Sequence, residues 1–346
     1  MSLRNALFNI ASSITTPLFR NFQKNKIIIL MYHRVLNVDP DYPFDEDLIS
    51  ATPENFEAQM KYLNDQYKVI TFDDLPSILN NKGKNYDPKI IITFDDGYLD
   101  NYLYAYPILK KYQIPATIFL TTDYIDGKRE LFWWDEVAYF IKKTSKSHIN
   151  IDKVGNYPLH KPHLKKKAII KIQMILKKMS EEEKNNTLEK LKSICEVTTC
   201  QLENMFVSWT QIKEMSNHDI CFGAHTCSHI IVTRASLANA EEEIIRSRKI
   251  IEEKIGKKIK IFSYPNGKND DYSQDIIKVL QRNKFDYATL TIDGINSLKY
   301  IANNPYALRR VGMRISDNLN YFKLQLCGAL VGIRKIRTGI LGENFS

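Results

Sequence analysis

The stretch Ile90-Ile91-Ile92-Thr93-Phe94-Asp95-Asp96-Gly97 decides how this chain is read. An apolar, β-branched run ends abruptly in two adjacent carboxylates and a glycine. A short, continuously apolar segment bounded by a turn signal is what a parallel strand buried on both faces needs. Two neighbouring carboxylates at its end repel each other unless a cation neutralises one and the turn points them apart. Gly97 permits the tight backbone such a turn requires. Further along, His225-Thr226-Cys227-Ser228-His229 sets two imidazoles four residues apart. One carboxylate with two histidines is a common open metal site, and the carboxylate left over is free to act as a base. An Asp-Asp-Gly surface turn is the plainer reading of the first motif alone, but the histidine pair weighs against it. Together the two stretches predict a metal-dependent hydrolase.

Outward from that strand, apolar runs alternate with helical patterns. Lys26 to Val35 reads as a buried strand carrying Tyr32-His33-Arg34 at its end, and further strands are expected at Val69 to Thr71, Ala116 to Leu120 and Lys260 to Ser263. Between them, Thr52 and Pro53 mark an N-cap and a first helical position, with Phe56, Met60 and Leu63 on one face. Other helices are expected around Tyr102 to Tyr112, Trp209 to Met215 and Ala240 to Ile255. This rhythm predicts a parallel α/β sheet or barrel, with its chemistry at the carboxyl ends of the strands, where Asp95 and His33 lie. From about Glu136 to Val207 strand signals fade and lysine-rich helices take over: Leu164 to Met179, then one opened by a Ser180/Glu183 capping box. That span reads as a helical insertion. Thr71-Phe72-Asp73-Asp74-Leu75 nearly duplicates the carboxylate motif but lacks the glycine, so Asp73 or Asp74 is read as the cap of a helix from Leu75 to Leu79.

Composition sets the bounds. The 346 residues, 44% hydrophobic and 26% charged, suit a globular α/β domain with insertions. Lys+Arg 49 against Asp+Glu 40 gives a net charge of +9. The excess lies in the two ends and the middle segment, which suits phospholipid head groups. No zinc-finger or RNA-recognition signature points to nucleic acid. Cys195, Cys200, Cys221, Cys227 and Cys327 are odd in number and form no CxxC pair, so a reducing, cytoplasmic compartment is expected. Residues 1–25 and 314–346 are basic and amphipathic. They suit either peripheral contact with the cytoplasmic face of a membrane or packing as terminal helices.

The motifs Thr93-Phe94-Asp95-Asp96-Gly97, His225-Thr226-Cys227-Ser228-His229 and Phe262-Ser263-Tyr264-Pro265-Asn266-Gly267 resemble, in order and spacing, those of the polysaccharide deacetylases of carbohydrate esterase family 4. The likeness runs from Lys26 to about Met313, apart from the insertion at about 136–207. It implies a distorted (β/α) barrel, removal of acetyl groups from an N-acetylated glycan, here a sugar polymer or a lipid-linked glycan given the basic ends, and a divalent metal, usually Zn2+, with Co2+, Ni2+ or Mn2+ as substitutes. Asp95 matches the family's base, Asp96, His225 and His229 its metal ligands, and Thr226 the hydroxyl residue supporting the histidine loop, as Gly97 supports the carboxylate turn. The resemblance also places an oxyanion donor at the backbone of Asn266, with Tyr264 beside it.

Two departures stand out. Ser263 occupies the place of an arginine that orients the base, and no histidine follows His229 to act as the acid. A branch resembling the poly-N-acetylglucosamine deacetylases shares both departures and carries an early Tyr-His like Tyr32-His33, so His33 is expected as the acid. Arg310, in Leu308-Arg309-Arg310-Val311, is expected to supply the missing guanidinium. Trp134, of the Trp133-Trp134 pair, suits sugar stacking and core packing equally. Two other functions stay open: an amidohydrolase on a non-sugar amide, separable by substrate profiling, and a glycan binder without catalysis, which the intact Asp95, Asp96, His225 and His229 oppose.

Overall fold

A computed structural model of the chain describes residues 23–80, 86–197 and 205–326. Its centre is a closed ring of seven parallel strands: β1 (Lys26–Tyr32), β2 (Lys89–Phe94), β3 (Ala116–Leu120), β4 (Ile220–Ala224), β5 (Ile261–Ser263), β6 (Tyr287–Asp293) and β7 (Leu308–Gly312). Each strand pairs with the next in the chain. β1 closes the ring by pairing with β2 over Ile27 to Tyr32 and with β7 at Leu30–Val311 and Met31–Gly312. This is the distorted (β/α) barrel that the alternating pattern and the motifs led one to expect.

Side chains alternate between two environments along the strands. Ile27, Ile29, Ile91, Phe119, Ile261, Tyr287 and Leu308 pack together inside the ring. Their neighbours Ile28, Leu30, Ile90, Ile92, Ile118, Phe262 and Leu290 pack outward against the helical layer. Both faces are dry, which is why these strands read as unbroken apolar runs.

Helix α1 (Pro53–Gln66) begins as its sequence dictates: Thr52 Oγ1 accepts the Asn55 N–H, and proline fills the first turn. Helix α2 (Tyr106–Tyr112) follows β2. Between β3 and β4 come α3 (Trp133–Lys143), α4 (Pro162–Leu176) and α5 (Glu181–Cys195), the last with the expected Ser180/Glu183 box. They enclose a core of their own, including Phe132, Trp134, Phe140, Ile172 and Leu191. This segment is not wholly helical, as the sequence reading expected. His148–Ile151 and Gly155–Pro158 form an antiparallel hairpin whose strands bury only Ile149, Ile151 and Tyr157, too sparse a pattern to stand out. The barrel resumes with α6 (Trp209–Ser216), α7 (Leu237–Ile255) and α8 (Gln274–Arg282).

The near-duplicate motif is a cap, in a different arrangement from the one expected. Thr71 is the cap residue and its N–H donates to Asp74 Oδ2 at 2.8 Å, while Asp73 is exposed. After β7, helix α9 (Leu319–Leu326) lies on the barrel, with Phe322 buried edge-on to Tyr62 of α1. Residues 1–22 and 327–346, most of the two basic ends, lie outside the described residues. Among the described residues no helix is long and apolar enough to cross a membrane. Cys195, Cys221 and Cys227 are unpaired.

Candidate active site

Strand alternation brings the candidate residues together. Thr93 and Asp95 follow Ile91 at inward positions on β2 and its end, Ser263 follows Ile261 on β5, and Arg310 follows Leu308 on β7. Arg310 is fully buried and all its N–H groups are engaged. Nη1 donates to Asp95 Oδ1 at 2.7 Å and to Thr93 Oγ1 at 3.2 Å, while Nη2 donates to Asp95 Oδ2 at 2.6 Å and to Ser263 Oγ at 3.1 Å. Nε donates to the Leu290 carbonyl at 2.8 Å. The guanidinium therefore reaches Asp95 from β7, and the small Ser263 both leaves room for it and accepts from it. Burial by itself raises the Asp95 carboxyl. The Arg310 charge and its paired hydrogen bonds, with His225 and His33 nearby, outweigh that and hold it at about 2. His33 Nε2 lies 4.0 Å from Asp95 Oδ2, on a side chain about a fifth exposed, and the Asn101 amide holds the His33 carbonyl at 2.8 Å.

Asp96 points the other way because its backbone is left-handed, at φ +79°, followed by Gly97 at φ +76°. A Cβ on Gly97 would stand 3.0 Å from Leu120 Cδ2. Asp96 Oδ1 lies 3.5 Å from both His225 Nε2 and His229 Nε2, and the three groups are buried. His225 Nδ1 lies 2.7 Å from the Ser263 carbonyl, which can only accept and so fixes a proton on that nitrogen, turning Nε2 toward Asp96. Burial, with His225 and Lys184 nearby, keeps His229 well below the ordinary imidazole range, so its ring is neutral. Asp96 Oδ1 has no hydrogen-bond donor. A carboxylate oxygen and two imidazole nitrogens, all within 4.8 Å of one another in a dry site, are a donor set that fits a divalent cation.

The histidine loop is strained and tied down. Thr226 and His229 have φ of +63° and +58°, values that L-residues adopt rarely. Glu243 on α7 accepts the N–H groups of Cys227 and Ser228 at 2.9 Å each and the Ser228 hydroxyl at 3.1 Å. Arg246, one turn on, donates Nε to Cys227 Sγ at 3.1 Å and Nη2 to Asp123 Oδ2 at 3.2 Å. The sequence reading missed Glu243, Arg246 and Asp123; the only signal was a buried acid three residues before an arginine on an amphipathic helix. Thr226, expected to support this loop through its hydroxyl, instead has its Oγ1 buried without a partner, so its contribution is the turn.

The remaining expected residues fall into two groups. Trp134 walls the site: its ring meets His229 edge-on with centroids 4.6 Å apart, stacks on Phe132 at 4.4 Å, and donates Nε1 to Tyr98 Oη at 3.3 Å. Asn266 sits at φ +63° on the loop after β5, its carbonyl held by the Thr291 hydroxyl. Tyr264 is a correction. It has the outward alternation of Phe262, is fully buried against it, and donates its hydroxyl to the Tyr306 carbonyl at 3.0 Å, so it is a core residue and not a substrate contact.

Comparison with known proteins agrees with this geometry. The family model described as polysaccharide deacetylase matches residues 82–288, more than half of the chain. YxkH of Bacillus subtilis (strain 168), a polysaccharide deacetylase by name, is 25% identical over 296 residues, covering 85% of this chain and 73% of its own. The poly-β-1,6-N-acetyl-D-glucosamine N-deacetylase of Staphylococcus epidermidis is 36% identical over 115 residues, 30% of this chain and 39% of that protein. Among solved structures, the Streptococcus pyogenes deacetylase PplD superposes with a TM-score of 0.57 at 20% identity, covering 86% of this chain and 96% of that one. IcaB from Ammonifex degensii gives 0.54 at 18% identity, covering 88% and 97%, so both share the fold. With the family model spanning the strand that ends in Asp95 and the histidine loop alike, the chain belongs to the polysaccharide deacetylase family, hydrolases of carbon-nitrogen bonds other than peptide bonds.

Proposed function

We propose that this chain removes N-acetyl groups from an N-acetylglucosamine polymer, using a divalent metal, zinc in the first instance, held by Asp96, His225 and His229. The observation that carries the reading is the division of labour between adjacent carboxylates: Asp95 locked on Arg310, Asp96 aimed at two imidazole nitrogens. A carboxylate held at about 2 is a poor base toward free water. A divalent cation at the triad supplies Lewis acidity, lowering the pKa of a water and polarising the acetyl carbonyl, so that a weak base suffices.

The protein's own groups do the rest. Asp95 is ionised throughout the neutral range and receives the water proton, while Arg310 keeps both its oxygens in one orientation. His33, beside Asp95 at the rim, protonates the departing amine. The loop at Asn266 offers its backbone to the developing oxyanion. Trp134 closes one wall against water next to His229.

The substrate class is supported by the name of one relative, the poly-β-1,6-N-acetyl-D-glucosamine N-deacetylase of Staphylococcus epidermidis. The test is acetate release from β-1,6- and β-1,4-linked N-acetylglucosamine oligomers by zinc-loaded protein, with Asp95→Asn as control. Release that vanishes in the variant is the expected result. No release from protein that binds zinc overturns the substrate class, and the same rate in the variant removes Asp95 as the base.

A further inference from the structure

We propose that Glu243 is a positioning residue for the metal site: it holds the histidine loop in the left-handed turn that aims His225 and His229 at one point, and so sets metal affinity. The inference rests on the metal reading given above. Its geometry is independent of it. With Thr226 at φ +63°, the N–H groups of Cys227 and Ser228 point the same way and form a small anion-accepting nest. Glu243 Oε2 fills that nest with two bonds of 2.9 Å, and Oε1 takes the Ser228 hydroxyl at 3.1 Å.

The carboxylate is in turn fixed. Glu243 is 8% exposed on α7, and Arg246 Nη2 stands 3.6 Å from its Oε1 while bonding Asp123. The Asp123 N–H donates back to the Cys227 carbonyl at 2.9 Å. Two side chains of α7 and the Asp123 backbone therefore grip the residues between the two imidazoles. Without the anion, two buried N–H groups lose their acceptor, and opposition to relaxation of the left-handed residues falls to contacts such as Arg246 on Cys227 Sγ and the Asp123 N–H on the Cys227 carbonyl. The turn would then open and His229 would swing away from Asp96. Partners of this kind, one shell behind the ligands, commonly change metal affinity by about 10–100-fold.

The experiment measures zinc affinity by competition with a chromophoric chelator for the full chain, Glu243→Ala, Glu243→Gln and Arg246→Met. The expected result is affinity about 10–100-fold weaker in Glu243→Ala. Glu243→Gln should fall between it and the wild type, since its amide oxygen still accepts but carries no charge. Arg246→Met should show the smallest loss. The visible spectrum of the Co2+-loaded protein should change in the same order, a readout that a general loss of packing would not grade. Wild-type affinity and an unchanged cobalt spectrum in folded Glu243→Ala overturn the proposal. Should that variant not fold, wild-type affinity in Glu243→Gln overturns it equally. A wild-type chain that binds no zinc overturns the metal reading itself, and so is distinguishable from failure at Glu243 alone.

Discussion

Asp95 and Arg310 form a pair that only a barrel makes, 215 positions apart in the chain yet joined by two hydrogen bonds. Asp95 was legible because two acids and a glycine end an apolar run. Arg310 was legible only as a compensation, inferred because Ser263 left the base without its usual partner. The structure supplies the reason it is Arg310 and not Arg309: strand alternation turns 310 inward with Leu308. The same alternation, applied to Phe262 and Tyr264, would have removed Tyr264 from the candidates. Replacing Arg310 with Met should strand a buried carboxylate and cost about 3–5 kcal/mol of stability, measured by chemical unfolding. Deacetylation should fall with it by about 10²-fold or more, because Asp95 loses its fixed orientation. Arg310→Lys should restore little, since an ammonium cannot span both oxygens. Full activity in Arg310→Met would detach the guanidinium from the chemistry.

At the scale of elements, the barrel strands announced themselves because both their faces are dry, whereas the insertion hid its hairpin because its two strands bury only Ile149, Ile151 and Tyr157. Left-handed turns at Asp96, Thr226, His229 and Asn266 could not be read, since Asp, His and Asn favour a positive φ only weakly and Thr not at all. Helix α3 carries one further feature that the sequence did not reveal. Asp135, in its first turn, is fully buried, accepting from Tyr98 Oη at 3.0 Å and from the Asp45 N–H at 3.0 Å. Burial pushes its carboxyl up to about 7, against the pull of Arg34. A raised carboxyl holds its proton in the fold while the unfolded chain has already released it near 4. The unfolded state then binds fewer protons, so this group's contribution to stability falls as pH rises from about 4 to about 7. Asp135→Asn, which cannot ionise, should flatten that part of the stability-pH curve. Unfolding curves at pH 5 and pH 8 that shift alike in variant and wild type would show Asp135 to be ionised in the fold.

For the molecule as a whole, acid is one lever on stability and, on the proposed function, a cation is another. Asp95 has the opposite sign to Asp135: its folded value of about 2 lies below the ordinary carboxylate range, so its stabilisation is present above about pH 4 and is lost as pH falls toward 2. That loss should be on the order of 2 kcal/mol and should be absent from Asp95→Asn. Asp96 makes the sharper case. The barrel holds its carboxylate, on the turn after β2, against two imidazole nitrogens on the loop after β4, with no hydrogen bond to Oδ1 and a left-handed backbone. A cation that binds this arrangement ties two sides of the ring together, and it stabilises only the folded state, by about 4 kcal/mol at a thousandfold excess over its Kd. In Asp96→Asn the amide can donate to an imidazole nitrogen and the buried charge is gone. We therefore expect a crossing. In chelator, Asp96→Asn should melt above the wild type. In saturating zinc the wild type should melt above Asp96→Asn, which should gain little from the metal. A variant less stable than the wild type in chelator would mean that Asp96 is already satisfied by the protein alone, and the case for a cation at this triad would lose its physical basis.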